Sequence, residues 1–437
     1  MDIYVVQEND TIYSISAKFG VSVTKLIQDN ELENPGELVT GQSIVIVYPQ
    51  LTYTVQAGDT LTSIAEAFQV SQMQLLRNNP FLSTRNLYPG EVITISYETT
   101  GKLATNGFVY PYIDNTTLKK TLPYLTYITI YNYSVIKSGE IITYFDDSEL
   151  IQTSKNYGTI PLMMLTTLDL QGESDIDTAY FLLSNNEYQE IFIKNMITIL
   201  REKGYLGVNL IFNYMTTNIL IQYENLVKNI ISHFGNEEYL FFVTINPNTR
   251  YVYGELTYEE IDYTLMGQLV DNLTFLQFIW GVNYGPPEPV SSIEKVQIFS
   301  DYIITQIPPD KVSAGFSLIS YDWKLPYIPG RTSANSLSIS SALNIARTAE
   351  ADILFDEISQ STYFTYEIVN NGMEEHHIIW SVDARSISAL VELTSENGFN
   401  GISLWNLMFY FPQLWLVVNS QFEIEKYLPD NIILNEF

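Results

Sequence analysis

Few side chains in this 437-residue chain could carry chemistry. The apolar stretch Leu206 to Phe212, followed by Asn213 and Tyr214, offers Asn209 and Asn213 as its polar groups, with Ile211 between them. None of these donates a proton or holds a negative charge near neutral pH. Loop carboxylates stand elsewhere: Asp169, Glu173 and Asp322. On so acidic a chain, loop acids are expected to be solvated. Tyr110, Trp280, Trp323 and Trp405 fall near the ends of apolar runs. Rings so placed can stack on a sugar or fill a closed core. His376 and His377 are adjacent, so on a strand they point to opposite faces and form no metal pair. No metal and no cofactor is expected.

The elements that must position these residues alternate. Strand candidates are Gly107 to Ile113, Leu125 to Tyr131, Thr159 to Leu165, Leu206 to Phe212, Leu240 to Ile245, Phe275 to Trp280, Val312 to Leu318 and Gly401 to Trp405. Helical runs lie between most of them, such as Glu187 to Lys203 and Tyr258 to Leu269. Eight strands with intervening helices argue for an α/β chain built as a (β/α)8 TIM barrel. The last interval is too long for one helix. Ala342 to Ala351 reads as a helix, and Tyr363 to Glu367 with His377 to Ser381 reads as a hairpin. They make a small α+β insertion at about 319–397 of a barrel spanning 103–437.

Before the barrel, the chain repeats itself at a spacing of 49 residues, aligning Tyr4 with Tyr53, Asn30 with Asn79 and Gly41 with Gly90. Each copy opens on a strand, continues through two helices and closes on a strand. The copies occupy 1–49 and 50–98, and Thr99 to Lys102 is a short linker. Asp10 and Asp59 are expected to cap the helices that follow them.

Composition removes several classes of function. Fifty acids against 21 bases give a formal charge of −29, which repels phosphate backbones, so nucleic acid is no partner. No apolar run reaches the length of a membrane span. Cysteine is absent, which excludes disulfides and thiolate metal sites. The N-terminus does not read as a signal peptide, so synthesis without classical export is expected.

The βααβ copies resemble the LysM domain, through Tyr53-Thr54-Val55-Gln56-Ala57-Gly58-Asp59-Thr60-Leu61 and the Asn after each second helix. LysM domains bind N-acetylglucosamine polymers, peptidoglycan and chitin. The resemblance implies glycan contact by Asn9, Asp10, Thr11, Asn30, Gly58, Asp59, Thr60 and Asn79. Glu8-Asn9 departs from the usual glycine turn.

The barrel resembles glycoside hydrolase family 18, specifically LysM-bearing N-acetylglucosaminidases that degrade spore cortex fragments. The matching residues include Asn106-Gly107-Phe108-Val109-Tyr110-Pro111-Tyr112, Tyr321-Asp322-Trp323-Lys324-Leu325-Pro326-Tyr327, Trp380-Ser381-Val382-Asp383-Ala384-Arg385 and Gly401-Ile402-Ser403-Leu404-Trp405. That family uses substrate assistance: a Glu protonates the leaving oxygen, and the substrate's own acetamide, oriented by an Asp, attacks the anomeric carbon. By alignment Asn213 stands at the acid and Ile211 at the assisting Asp. Asn209 and Leu206 stand at supporting Asp positions, and Phe278 at an acetamide-binding Tyr. The resemblance thus implies a degenerate site with no catalytic residue.

The expectation is therefore a non-catalytic pseudo-glycosidase of the spore envelope, made in the mother-cell cytoplasm and attached to peptidoglycan or another N-acetylglucosamine polymer. Tyr110, Asp322, Trp323, Arg385 and Trp405 would line any retained cleft. Two alternatives stand beside it. One is a self-assembling scaffold in contact with itself or with spore-coat proteins. The other is a residual N-acetylglucosaminidase using a substitute acid.

Overall fold

A computed structural model of the protein describes residues 1–168, 176–212, 217–247, 249–253, 255–276, 284–370 and 372–429. Eight parallel strands close on themselves: β1 (Gly101–Val109), β2 (Tyr127–Val135), β3 (Ile160–Thr166), β4 (Gly207–Phe212), β5 (Leu240–Ile245), β6 (Asn272–Phe275), β7 (Val312–Ser317) and β8 (Gly401–Trp405). Closure runs through β1, which pairs with β2 on one side (Gly107 opposite Ile128) and β8 on the other (Gly107 opposite Leu404). This is the (β/α)8 barrel that the alternation implies.

Alternate residues of each strand face the barrel axis, and three layers result. The lowest is apolar: Ala104, Tyr127, Leu162 and Phe242. The middle is polar and uncharged. The upper holds Phe108, Tyr131, Met164, Ile211, Leu276 and Trp405, all buried. Residues of opposite parity, such as Val109, Ile128, Val208 and Leu210, face outward into the main apolar core.

The strand ends differ from expectation. β1 starts at Gly101, so the linker is already part of the barrel, and Thr100 N–H donates to the Gln421 carbonyl. β6 starts three residues early, at Asn272, because Asn272 and Thr274 are polar and break the apolar pattern. The helical run from Tyr258 is shorter: Glu255–Tyr258 is a strand and Thr264–Leu269 the helix.

Between β7 and β8 lies a five-stranded antiparallel sheet ordered Asn335–Leu337, Ser320–Leu325, Met373–Ser381, Ser361–Asn370 and Leu354–Asp356. Helix Ile339–Thr348 packs through Ala342 and Ala346 onto Phe364 and Ile379. Sheet alternation separates two faces. Tyr321 and Trp323 point to the barrel mouth, and Asp322 to the opposite side.

Each N-terminal repeat is a two-stranded sheet over two helices: Asp2–Val5 with Ser43–Ile46, and Leu51–Thr54 with Val92–Ser96. The helix caps are Thr11 and Thr60, each in a capping box with Ser14 or Ser63, and not the preceding aspartates. Asp10 accepts instead from Tyr4 OH at 2.6 Å and Gln7 N–H at 2.8 Å, and Asp59 accepts from Tyr53 and Gln56 in the same way. A threonine directly before the first helical residue has the right reach. The aspartates, one residue earlier, close the turn and hold the strand tyrosine.

Both repeats dock on the barrel through helix Pro412–Asn419, which follows β8. Gln413 Nε2 donates to the Ser43 carbonyl at 2.7 Å and Asn30 Oδ1 at 3.2 Å, and Asn419 Nδ2 to Asn78 Oδ1 at 2.8 Å. Tyr124 OH donates to the Arg77 carbonyl at 2.6 Å.

Candidate functional site

A TIM barrel presents its working groups at the C-terminal ends of its strands. In this chain the layer beneath those ends is one connected network. Thr129 donates to Asn106 Oδ1 at 2.9 Å, Asn209 Nδ2 to Thr129 Oγ1 at 3.3 Å, and Thr244 to Asn209 Oδ1 at 2.8 Å. Thr274 and Ser403 lie 3.0 Å apart, and Asn106 reaches Ser403 at 3.4 Å. Asn209 is therefore a fully buried amide, engaged at both its nitrogen and its oxygen, at the centre of a neutral network. Buried polar groups of this kind fix a unique arrangement because each has a partner.

Ile211, one layer higher, packs with Tyr131, Met164, Leu276 and Trp405. Leu206 lies at the opposite end of the barrel, beside Leu240 and Leu428. Asn213, Phe278, Trp280, Asp169 and Glu173 lie outside the described residues.

The mouth is aromatic. Tyr110 stacks on Tyr131 (centroids 5.1 Å apart) and on Tyr112 (5.3 Å), and meets Trp405 edge-on at 6.2 Å. Tyr112 continues to Phe145 at 5.5 Å. The series runs from the buried Trp405 to rings in solvent, Tyr112 at 60% and Phe145 at 43% exposure. Burial raises the Tyr110 phenol well above its ordinary pKa, with a further contribution from Tyr112, so it stays a neutral donor. Phe145 and Tyr112 escaped sequence reading because nothing local marks a ring as belonging to a chain of rings formed across two strands.

Trp323 is buried with its indole N–H donating to the Gly285 carbonyl at 3.0 Å. Asp322, on the far side of the same strand, accepts from Tyr366 OH at 2.9 Å and contacts His377 Nδ1 at 2.9 Å. His376 instead faces Glu367. No group of metal-ligating side chains occurs among the described residues. Arg385 is bound by Asp383, donates to the Gly41 carbonyl at 3.2 Å, and lies 4.1 Å over the Phe355 ring. It thus ties the insertion to the first repeat.

In the repeats, Asn30 and Asn79 are structural clips. Asn30 Nδ2 donates to the Leu26 and Val45 carbonyls while its Oδ1 accepts from Val45 N–H. Asn79 bonds Leu75 and Thr94 likewise. Asn9, Thr11, Gly58 and Thr60 remain in the loops at the strand–helix turns.

With the site in view, the chain's kinship is plain. It belongs to the glycosyl hydrolases of family 18, whose pattern matches residues 110–409, and it carries LysM domains at residues 4–47 and 53–96. It is 35% identical to the cortical fragment-lytic enzyme of Bacillus subtilis over 98% of this chain and 99% of that one. It is 32% identical to the enzyme of the same name from Bacillus anthracis, again over 98% and 99%. The crystal structure of the Bacillus megaterium spore cortex-lytic enzyme SleL superposes with a TM-score of 0.77 at 29% identity, covering 97% of this chain and 99% of that one.

These relatives overturn the expectation of a non-catalytic protein. Proteins matched end to end at 32% and 35% identity are named as lytic enzymes. The substitutions at Asn209 and Ile211 fit the barrel as parts of its packing. They exclude those two side chains as acids. None of these named relatives is described as a self-assembling scaffold.

Proposed function

We propose that this chain is an N-acetylglucosaminidase acting on spore cortex fragments, held on peptidoglycan-type glycan by its two LysM domains. The observation that carries the reading is the end-to-end match to cortical fragment-lytic enzymes, which spans repeats, barrel and insertion together. The spore is accordingly its place of action. No described helix is long and apolar enough to cross a membrane.

The substrate's acetamide supplies the nucleophile in this family's chemistry, so the protein need provide an acid, a sugar platform and donors for the acetamide. Tyr112 supplies an exposed ring, and Tyr110, stacked between Tyr112 and Tyr131, keeps its proton. The acid comes from a position other than Asn209 and Ile211. Asp322 faces away from the mouth and is engaged by Tyr366 and His377, so the candidates are Asp169 and Glu173, by sequence.

The test is incubation of the purified full-length chain with cortex fragments, with products read by mass spectrometry and anomeric NMR. Release of N-acetylglucosamine ends with retained configuration is expected, because acetamide attack and water attack each invert the centre. Loss of a positioned acid costs about 10²- to 10⁴-fold, so turnover should be slow against its relatives. Asp169→Asn and Glu173→Gln then identify the donor as the variant that loses turnover. Absence of released sugar on prolonged incubation overturns the reading.

A further inference from the structure

A cavity of about 640 Å³ opens beside the barrel mouth, within the range of about 300 to 1,000 Å³ usual for small-ligand sites. Three parts of the chain wall it. The first LysM domain contributes the loop around Asn34, and the insertion contributes the start of helix Ile339–Thr348. The barrel contributes Tyr110, Tyr112 and the segment after β8 around Phe409. No one domain could form it alone.

Its walls are fixed. The Ile353 N–H donates to the Thr40 carbonyl at 2.9 Å, Arg347 Nε to the Glu37 carbonyl at 3.0 Å, and Gln413 bridges Asn30 and Ser43. Lys120 pairs with Glu31 across the barrel–LysM seam. Two of the charges at the seam are paired, Glu31 with Lys120 and Asp383 with Arg385, while Glu33 and Arg347 also line the space. What faces the space is mainly neutral: serine hydroxyls (Ser338, Ser341), amides (Asn34, Asn344) and rings. Phe409 is 66% exposed and Tyr112 60%. A largely exposed ring, beside neutral hydroxyls and amides, suits a ligand with apolar faces and many hydroxyls. Pyranose rings have that character, whereas a phosphate or a nucleotide would meet a strongly acidic molecule.

The geometry points to this cavity as an extended sugar-binding site that takes the arm of an N-acetylglucosamine chain reaching from the barrel mouth to the first LysM domain. Tyr112 and Phe409 stack on sugar faces, and Asn344 and Ser341 donate to hydroxyl or acetamide oxygens. The first LysM domain then acts as one wall of the barrel's site. The assignment rests on the reading that the chain takes N-acetylglucosamine glycans, but it fails or stands separately.

The experiment is calorimetry of the full-length chain with N-acetylglucosamine dimer and pentamer. Asn344→Trp plugs the cavity from an exposed helix position, and Phe409→Ala removes a ring that supports no core. Wild type should bind the pentamer more tightly than the dimer. Phe409→Ala should weaken the pentamer by about fivefold to tenfold, and Asn344→Trp should abolish the length advantage while dimer affinity holds. Wild-type melting temperature in the variants confirms the fold; should Asn344→Trp melt early, Phe409→Ala decides. A length advantage unchanged in both variants, or no binding of either oligomer to wild type, overturns the assignment. Turnover on cortex fragments is scored independently, so a chain that cleaves without sensing the cavity refutes this site and leaves the enzyme reading intact.

Discussion

Asn209 shows what a single amide does inside a barrel. Its two ends are engaged by Thr129 and Thr244, so the ring needs both a donor and an acceptor at that point. Asn209→Asp removes the donor and buries a charge among neutral hydroxyls, at a cost of about 2 to 4 kcal/mol at pH 7. Burial lifts the carboxyl pKa above the ordinary value of about 3.9. The folded state then holds a proton that the unfolded state releases, and stability falls as pH rises through that interval. Melting temperatures should nearly match wild type at pH 4 and fall well below it at pH 7; equal values at pH 7 would refute the account. Asp10 has the opposite sign. The Tyr4 hydroxyl and the Gln7 amide hold its carboxylate below the usual range, so its contribution is present above about pH 4 and lost as pH falls through the folded value. Tyr4→Phe should raise the Asp10 pKa toward ordinary, as read by carboxyl NMR titration. The identities at 206, 209 and 211 are plain in the sequence. That Asn209 would be bonded at both ends by neighbours from β2 and β5 is not, because those partners lie 80 and 35 residues away.

At the scale of elements, the alternation of strands and helices was legible because apolar runs of strand length are hard to mistake when eight recur. The insertion was half legible. Its helix and hairpin have local signatures, but Ser320–Leu325 reads as loop, since its strand character comes from pairing with Met373–Ser381 fifty residues on. Gly41 is where the first LysM domain meets that insertion. Its φ is +84°, and a Cβ there would lie 1.9 Å from the Ile353 carbonyl oxygen. The backbone conformation and the clash act together, so Gly41→Ala should cost about 2 to 4 kcal/mol. It should also open the seam, seen as faster hydrogen exchange at Ile353, whose N–H is bonded across it. Unchanged exchange would mean that the seam rests on Gln413 and Arg385 instead.

At the scale of the molecule, the LysM domains are part of the barrel's packing. Helix Pro412–Asn419 carries buried Leu414, Trp415, Val417 and Val418, and Trp415 stacks at 4.7 Å on Tyr124, whose hydroxyl bonds the Arg77 carbonyl of the second domain. Removal of residues 1–98 should bare part of this apolar surface, and such patches drive association. The truncated chain should bind a hydrophobic dye and aggregate at concentrations where the full chain does not; a monodisperse, dye-silent barrel would show that the domains are merely tethered. Sequence predicts the two repeats and the barrel as separate blocks. It carries no sign of their docking, because Gln413, Asn419 and Arg385 are ordinary polar residues until the fold brings them to Asn30, Asn78 and Gly41.

The neutral stack inside the barrel has a consequence for kinetics. Asn, Thr and Ser do not titrate between pH 2 and 12, so the middle layer of the barrel adds no inflection to a plot of rate against acidity. Any limb that emerges reports on the proton donor itself or on the sugar, and the midpoint of that limb becomes a direct label for a group outside the stave-like strands.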